Sequence, residues 1–364
     1  MKNKICALIA LSLAAALLIG CAKTPASGDS TPAPSAPAAL SGEVNVYNWG
    51  EYIDESLLAE FETQTGVRVN YMTFQNNEEM YASLRLGGSE YDVIIPSDYM
   101  VSRMIAEDML EKLDFANIPN AALIGDRNKA PEYDPAGEYS VAYMTGTVGL
   151  IYDSSFIADG DIIDSWSFLF DPAYSGEILM IDNPRDAFGI ALKYLGYSLN
   201  TTNKDEIQEA YKLLSAQKPL LQAYVMDTIF DKMEGGEAAF VPYYAGDYIT
   251  MKESNPNLRF VLPREGSNVF ADAMCIPKGA ANKRNAEAFI NFMTATDSAA
   301  RNMEVTGYVS ANAEASKSYA ENYDEADRAV LFPADDELAD CESFINLPQD
   351  ILTLYDELWV SLKA

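Results

Sequence analysis

From residue 43 onward, strand-like and helix-like patterns of apolar residues take turns along the first third of the chain. Positions 43–47 and 67–74 fit half-buried strands, and 91–95 is a short apolar run typical of a buried parallel strand. Between them the apolar residues share one face of a helix, and a further helix follows Ser97-Asp98. We expect Asp54 to cap the first helix and Gly66 to end it. This order predicts a parallel sheet covered by helices.

The same alternation returns in the second half of the chain. Strands are predicted at 177–181, 237–243, 258–262 and 274–276, and helices at 186–197, 204–216, 283–294 and 349–362. No internal repeat of fixed period is present. A chain of 364 residues can divide its core between two α/β lobes, joined by more than one crossing strand. Ligands of open α/β sheets bind beyond the carboxyl ends of the strands, which face the cleft in a two-lobed protein.

The first 42 residues have a different composition. Residues 1–20 combine Lys2 and Lys4 with an apolar stretch of signal-peptide length, too short to span a membrane comfortably. The stretch ends in Leu-Ile-Gly-Cys21, which resembles the lipobox of bacterial lipoproteins and implies lipidation of Cys21. The alternative is an ordinary signal peptide with a chance cysteine. Residues 21–42 are rich in Pro, Ala and Ser and predict an extended tether. We therefore expect a protein of the cell envelope, anchored by lipid to the outer face of the cytoplasmic membrane or on its periplasmic side.

The charge of the chain narrows the class of ligand. The net charge is −30, and it becomes −32 once the two lysines of the leader are removed. Nucleic acid is excluded as a partner, because phosphate binding needs a basic face. A negative field attracts cationic ligands, although the acidity could also serve only to keep an exported protein soluble.

Histidine and cysteine give little support to catalysis or metal binding. The chain has no histidine, which removes the commonest general base and the commonest transition-metal ligand. Two cysteines, Cys275 and Cys341, lie outside the leader and the lipobox. An extracellular pair could oxidise, but we expect two buried free thiols. No cofactor and no metal site are predicted.

Aromatic and acidic residues recur together where the predicted strands end. These segments are Trp49-Gly-Glu-Tyr52, Pro96-Ser-Asp-Tyr99, Asp182-Asn-Pro-Arg-Asp186, Tyr243-Tyr-Ala-Gly-Asp247 and Phe270-Ala-Asp272. Aromatic faces cover methylene groups and attract cations, while carboxylates accept charge-assisted hydrogen bonds. The combination suits an alkylammonium ligand, and Arg185 is the one obvious cation among these segments.

Each of these residues also has a purely structural interpretation. Trp49 and Tyr244 could belong to the core. Asp98 and Asp186 stand where helix N-caps are expected, and Asp247 and Asp272 could be turn residues. The repetition of the pattern at five strand ends is what favours a binding cleft.

The residues around these strand ends resemble those of the spermidine/putrescine-binding proteins of bacterial ABC importers. The matching blocks are Tyr47-Asn-Trp-Gly-Glu-Tyr52, Tyr91-Asp-Val-Ile-Ile-Pro-Ser97, Asp186-Ala-Phe with Leu195-Gly-Tyr-Ser-Leu-Asn-Thr201, and Thr306-Gly-Tyr308. The resemblance extends from about residue 43 to residue 364. It implies a type II periplasmic-binding-protein fold in which each lobe has a mainly parallel sheet flanked by helices. Lobe 1 would comprise 43–146 and about 272–311, and lobe 2 about 147–271 and 312–364.

The resemblance also implies a monomeric, non-enzymatic protein that captures a polyamine and delivers it to an ABC permease. Its expected ligand-binding residues, joined by Asp98 from the strand-end pattern, are Trp49, Glu51, Tyr52, Ser97, Asp98, Tyr99, Asp186, Tyr244, Asp247, Phe270, Asp272 and Tyr308. Asn183 and Asp227 are further candidates. A diamine would be held between Asp186 and Asp247 of one lobe and Asp272 and Glu51 of the other.

Two departures from the family pattern favour putrescine over spermidine. Asn183 stands where spermidine-preferring members have an aspartate, and Ile345 falls near where they have a glutamine. Asp247 matches an acidic position of putrescine-preferring members. Asp98 and Asp247 could, however, supply compensating charge for a longer polyamine.

Other functions remain open from the sequence. An aromatic cage would also suit a quaternary ammonium ligand such as betaine or choline, but such a ligand has no N–H to donate to clustered carboxylates. The adjacent Tyr243-Tyr244 would suit ferric iron, without a histidine to assist. Two carboxylates could serve a surface hydrolase, yet no spacing singles out a pair. A polyamine sensor or adhesin would have the same sequence features.

Overall fold

The computed structural model describes residues 40–87, 90–158, 160–334 and 336–364. Ten strands are present in these residues: β1 (Glu43–Trp49), β2 (Arg68–Phe74), β3 (Val93–Ile94), β4 (Ser140–Asp153), β5 (Ile178–Ile181), β6 (Leu221–Val225), β7 (Phe240–Tyr244), β8 (Leu258–Val261), β9 (Val269–Cys275) and β10 (Val309–Ser310). The predicted signal peptide, Cys21 and residues 21–39 of the predicted tether lie outside the described residues.

Twelve α-helices connect or follow the strands in the same part of the chain. They are α1 (Ser56–Thr65), α2 (Asn77–Arg85), α3 (Asp98–Ala106), α4 (Pro184–Tyr194), α5 (Lys204–Gln217), α6 (Ile229–Glu234), α7 (Ala245–Ser254), α8 (Lys283–Met293), α9 (Thr296–Thr306), α10 (Ala313–Ala320), α11 (Glu325–Leu331) and α12 (Gln349–Lys363). Every helix and strand predicted from the apolar pattern is present, with its ends shifted by a few residues.

The long strand β4 joins two halves of the sheet, whose strand order is β2-β1-β3-β9-β4-β7-β5-β6. Up to Thr147, β4 pairs with β9 and β10, and from Val148 it pairs with β7 and β8. The strands on either side of this point define a first lobe (β1, β2, β3, β9, β10) and a second lobe (β5, β6, β7, β8). The predicted α/β, two-lobed fold class is confirmed, while the predicted residue bounds of the lobes stay a prediction.

Strand direction is more mixed than expected. The outer strands of each lobe are parallel, as predicted: β2, β1 and β3 in the first lobe, and β6, β5 and β7 in the second. At the centre, however, β9 runs antiparallel to β3, and β4 runs antiparallel to β7, β8, β9 and β10. The expectation of a mainly parallel sheet therefore holds only for the outer strands of each lobe.

The N-caps of the helices differ in part from those expected. Glu55 occupies the cap position of α1, and Asp54 accepts a hydrogen bond from the Ser56 N–H instead. Gly66 ends this helix at φ 74°, as predicted, because the left-handed conformation carries little steric penalty for glycine. Asn183 caps α4 through the Arg185 N–H, and Pro184 follows at the first helical position, where no N–H is needed.

Each lobe has its own apolar core, and a third cluster consists mainly of first-lobe residues. In the second lobe Trp166, Phe188 and Phe240 are fully buried. The first-lobe core includes Phe61 and Phe289. The third cluster places Tyr99 from α3 against Phe344 from the C-terminal segment, with ring centroids 5.9 Å apart. This edge-to-face contact connects α3 of the first lobe to the C-terminal segment.

The two cysteines outside the leader are both free thiols, with Cys275 buried and Cys341 half-buried. The expectation of two free thiols is met, although Cys341 is less buried than expected. Among the described residues, no helix combines the length and the apolar character needed to cross a bilayer.

Candidate ligand-binding cleft

The carboxyl ends of β1, β3, β5 and β7 converge with β9 on one cavity between the lobes, with an empty volume of about 710 Å³. All of the predicted binding residues line it: Trp49, Glu51, Tyr52, Ser97, Asp98, Tyr99, Asn183, Asp186, Asp227, Tyr244, Asp247, Phe270, Asp272 and Tyr308. Their assembly in one cavity follows from the α/β topology, which gathers these strand ends at the cleft. Whether each of them contacts a ligand stays a prediction.

Several lining residues were not predicted. They are Gly50, Phe74, Gln75, Asn77, Arg185, Met226, Phe230, Tyr243, Asn268 and Phe344. Gln75 directly follows β2, Asn77 begins α2 two residues later, and Asn268 directly precedes β9. Their positions next to predicted strands could have identified them as candidate lining residues. Ile345, by contrast, does not line the cavity and is 49% exposed. The substitution at Ile345 therefore gives no support to a preference for putrescine.

Asp272 stands at the centre of the first lobe's side of the cavity. It is 4% exposed, and its Oδ2 accepts a hydrogen bond of 2.6 Å from the Tyr52 hydroxyl. Its Oδ1 is buried and accepts no hydrogen bond of good geometry, although the Ser97 side chain lies near enough to this carboxyl to oppose the rise in pKa that burial causes. An unpaired buried carboxylate oxygen is costly, so this atom has the properties expected of a ligand-binding group.

Asp247, in the first turn of α7, forms a similar pair across the cleft. The Tyr308 hydroxyl of the first lobe donates to Asp247 Oδ2 of the second lobe at 2.8 Å. The rings of Tyr308 and Tyr52 meet edge to face with centroids 4.7 Å apart. Two tyrosine–aspartate pairs therefore lie side by side. The aspartate of one pair, Asp272, belongs to the first lobe, and the aspartate of the other, Asp247, belongs to the second.

Asp186 completes a third pair within the second lobe. The Tyr244 hydroxyl donates to its Oδ2 at 2.9 Å, and the Asn268 amide donates to its Oδ1 at 3.4 Å. Asp186 lies inside α4, since Asn183 is the cap, so the capping interpretation of Asp186 is wrong.

Asp98 is the first residue of α3, and Ser97 occupies the cap position. One carboxylate oxygen of Asp98 accepts from the Tyr99 N–H at 2.7 Å and the other from the Ala271 N–H at 3.3 Å. The second bond ties α3 to β9, beside Asp272. Asp98 thus combines a local backbone contact with a position on the cavity wall.

Burial shifts the acidity of all four aspartates. It raises the pKa of Asp98 and of Asp247 to about 8, and the pKa of Asp186 and of Asp272 to about 6. In each case burial outweighs the hydrogen bonds that favour the charged form. A cation that enters the cavity would restore those charges.

Aromatic rings form the remaining walls. Trp49 donates its indole N–H to the Ile95 carbonyl at 2.8 Å and packs on Phe74 with centroids 4.6 Å apart. On the opposite side, Phe270 meets Tyr244 edge to face at 5.5 Å. Such rings suit the methylene chain of a ligand and add cation–π attraction at its charged ends.

Arg185 is the one cation among the lining residues that the structure describes. Its guanidinium carbon lies 4.5 Å from the Phe344 ring centroid and 4.9 Å from that of Tyr99. Its nitrogen atoms donate to the Ile345 carbonyl at 3.4 Å and to Asn200 Oδ1 at 3.5 Å. One cation thus stands against four buried aspartates, and its charge opposes the rise in pKa that burial causes at Asp186 and at Asp98.

Polar residues of α2 and α3 hold the edge of the site. The Asn77 amide donates to Ser97 Oγ and to the Tyr99 hydroxyl, each at 3.1 Å, and the Tyr99 hydroxyl donates to Glu78. Glu51 is exposed at the rim and adopts a positive φ of 46°. In the described residues no group of three or more His, Cys, Asp and Glu side chains is arranged to hold a metal ion.

A cavity between two lobes that is lined by carboxylates and aromatic rings has the chemistry expected of a solute-binding protein for small cations. Comparison with known proteins agrees with that class. A model of the bacterial extracellular solute-binding protein family matches residues 56–329, and this chain belongs to that family. Its fold is the two-lobed, type II periplasmic-binding-protein fold.

Individual relatives cover almost all of the described chain. The spermidine/putrescine-binding periplasmic protein of Salmonella typhimurium is 33% identical over 87% of this chain and 90% of its own length. A putative spermidine/putrescine ABC transporter structure from Listeria monocytogenes is 37% identical, with a TM-score of 0.83 over 88% of this chain and 98% of that one. The TpPotD lipoprotein of Treponema pallidum is 29% identical, with a TM-score of 0.75 over 88% of this chain and 99% of that one.

Proposed function

We propose that this chain captures a polyamine outside the cytoplasm and delivers it to an ABC importer. The observation that carries the proposal is the set of four buried aspartates, Asp98, Asp186, Asp247 and Asp272, on the walls of one aromatic cavity. Relatives named as spermidine/putrescine-binding proteins support the same ligand class.

Polyamines match this cavity in charge and in hydrogen bonding. Each terminal ammonium supplies a full positive charge and three N–H donors, while the carboxylates are acceptors only. A quaternary ammonium would satisfy the charge but would leave Asp272 Oδ1 without a donor. This distinction favours a polyamine over betaine or choline.

Capture would work as a shift between an open and a closed arrangement of the lobes. Asp186 and Asp247 belong to the second lobe, whereas Asp272 and Glu51 belong to the first. A dication that bridges the two sets binds the closed arrangement more tightly, and only such a difference in affinity can shift the equilibrium. No covalent step is involved, and we propose that the protein is not an enzyme.

Among polyamines, we propose a preference for putrescine. Asn183 is neutral and its Oδ1 is engaged in capping α4, so it offers little to a third amine. Arg185 lies next in the chain to Asp186, and its positive charge offsets part of the rise in pKa that burial causes at that aspartate. The buried aspartates without a cation next to them in the chain therefore stand at two places, Asp272 with Asp98 at one and Asp247 at the other, which suits the two ammonium groups of putrescine.

At the membrane, we propose that Cys21 carries a lipid anchor and that residues 22–42 tether a monomeric binding unit. The lipobox-like sequence before Cys21 supports this placement, and the relative from Treponema pallidum is itself described as a lipoprotein. Labelling cells with a clickable fatty acid would show incorporation in the wild-type chain and none in Cys21→Ser.

Isothermal titration of residues 40–364, which form one compact unit, tests the ligand. Unfolding and refolding the protein first removes any ligand that was carried through purification. We expect binding of one putrescine per chain, weaker binding of spermidine, and no heat from betaine. Binding of betaine without either polyamine would overturn the proposal, and tighter binding of spermidine would overturn the preference alone.

A further inference from the structure

The turn after β1 lies against the second lobe at Gly50. A Cβ atom built on Gly50 would lie 3.0 Å from Asp227 Cγ and would overlap Asp227 Oδ2. The same Oδ2 accepts a hydrogen bond of 3.4 Å from the Gln75 amide, which follows β2. Asp227 therefore reaches across the mouth of the cleft and occupies the space that any other residue at position 50 would fill.

Backbone strain does not explain a glycine here. Gly50 is absent from the residues with positive φ, whereas Glu51, next in the chain, has φ 46°. A side chain at position 50 would be acceptable to the backbone, and only the close approach of Asp227 excludes it. Because the overlapping atom is the far end of a side chain, an alanine at position 50 would displace the Asp227 carboxylate rather than unfold the turn.

The displaced carboxylate would leave one end of the cavity. Asp227 and Glu51 are the negative charges that, after burial itself, raise the pKa of Asp247. These three acidic groups thus lie near one another where the lobes meet, and Gln75 is the neutral residue that contacts Asp227 there. Like charges on facing lobes repel, and a cation between them would relieve this repulsion and favour the ionised form of Asp247.

We propose that Gly50 and Asp227 together set the selectivity of this end of the cleft for a primary ammonium group. This inference rests on the proposed function. It gives Asp227 a ligand-binding role, and Gly50, which has no side chain, leaves the space that the Asp227 carboxylate occupies. A primary ammonium has three N–H donors, one each for Asp227, Asp247 and Glu51. An amine that has lost donors through methylation would be held less well.

A double-mutant cycle tests the pair on residues 40–364 with putrescine and N,N-dimethylputrescine as probes. Gly50→Ala and Asp227→Ala should each weaken putrescine binding about tenfold, a typical effect of losing one charge-assisted hydrogen bond. The double variant should bind no more weakly than either single variant, because both changes remove the same carboxylate. Both single variants should also reduce the preference for putrescine over its dimethyl form.

Gly125→Ala is the matched control. Gly125 also lacks a positive φ, and a Cβ there would meet only ordinary contacts, the nearest 3.7 Å away. The Gly125→Ala variant should bind putrescine with the affinity of the wild type. Thermal unfolding should show that every variant is folded.

Two results would overturn the inference while leaving the proposed function intact: unchanged putrescine affinity in Gly50→Ala, or losses that multiply in the double variant. Multiplying losses would mean that Gly50 acts through the turn itself and not through Asp227. Failure of the wild type to bind putrescine, its dimethyl form and spermidine would instead overturn the proposed function, and this inference with it.

Discussion

The hydroxyl of Tyr52 donates a 2.6 Å hydrogen bond to Asp272 Oδ2, and the two residues are 220 positions apart in the chain. The bond uses one oxygen of a buried carboxylate and leaves Oδ1 without a partner. Tyr52 thereby orients Asp272 and reserves its second oxygen for another donor. A buried carboxylate oxygen that accepts no hydrogen bond is costly, and on the wall of the cleft it is available to accept from a cationic donor.

Replacement of Asp272 by asparagine should weaken putrescine binding by about 30-fold or more. The change removes the charge and places an amide group where an ammonium would donate, and loss of one member of a buried charged pair costs about 2 kcal/mol or more. Isothermal titration at pH 8 measures the effect.

Asp134→Asn serves as the control for that variant. Asp134 is just as buried, but it accepts hydrogen bonds from the Tyr139 and Ser140 N–H groups outside the cavity. We expect it to lower the unfolding temperature and to leave the putrescine affinity within twofold. Equal affinities for Asp272→Asn and the wild type would remove Asp272 from the binding site.

Tyr308→Phe should show whether the tyrosine hydroxyls hold the aspartates in their charged form. The substitution removes the donor to Asp247 Oδ2 while keeping the ring beside Tyr52. Since that hydrogen bond lowers the pKa of Asp247, its loss should raise the pKa further and weaken binding several-fold at pH 7. The deficit should shrink at pH 9, where a larger fraction of Asp247 is ionised in both proteins.

Tyr323→Phe is the matching substitution away from the cavity, because the Tyr323 hydroxyl donates to the Tyr319 hydroxyl. Its affinity should follow that of the wild type at both pH values. A Tyr308→Phe deficit that is the same at pH 7 and pH 9 would indicate a purely steric role for the hydroxyl.

Putrescine affinity should rise with pH between about 5.5 and 8.5. Asp186 and Asp272, with pKa values of about 6, and Asp98 and Asp247, with pKa values of about 8, bind protons in the empty cavity and must release them to pair with ammonium groups. The amines of the ligand, like lysine with its pKa of about 10.4, stay charged in this range. Titration in two buffers of different ionisation enthalpy should detect proton release at pH 7, and a pH-independent affinity would contradict the assignment.

The order of strands and helices could be predicted because most of these elements bury one face. Leu57 and Phe61 of α1 are buried on one side, and Gly66 marks where that helix stops. β4 was not predicted, because its middle residues are buried on both faces and do not alternate. The helix α7 was missed for the same reason, since it is buried nearly all round and begins directly after β7.

The residues of the cleft could be predicted more fully than their roles. Strand ends placed Asp98, Asp186 and Asp247 at the site, because α/β topology gathers those ends in one cleft. The partners of these aspartates could not be found, since Tyr308 is 61 positions from Asp247 and such pairs form only when the lobes pack. The contact between Gly50 and Asp227 likewise depends on the approach of two loops from different lobes.

The ligand-free protein should lose stability as the pH rises from about 4 to about 8. Asp98 and Asp247 have pKa values raised to about 8, against about 3.9 for an aspartate in an unfolded chain. The folded state therefore binds more protons than the unfolded state within this window, so the free energy of unfolding decreases with increasing pH.

Chemical denaturation of residues 40–364 at pH 5 and pH 8, in high salt to screen the general surface charge, measures this decrease. The variant with both Asp98→Asn and Asp247→Asn should lose clearly less stability over the same range, and saturating putrescine should reduce the decrease in the wild type. An equally steep loss in the double variant would show that the destabilisation arises from surface charge and that these two aspartates are already ionised in the empty cleft.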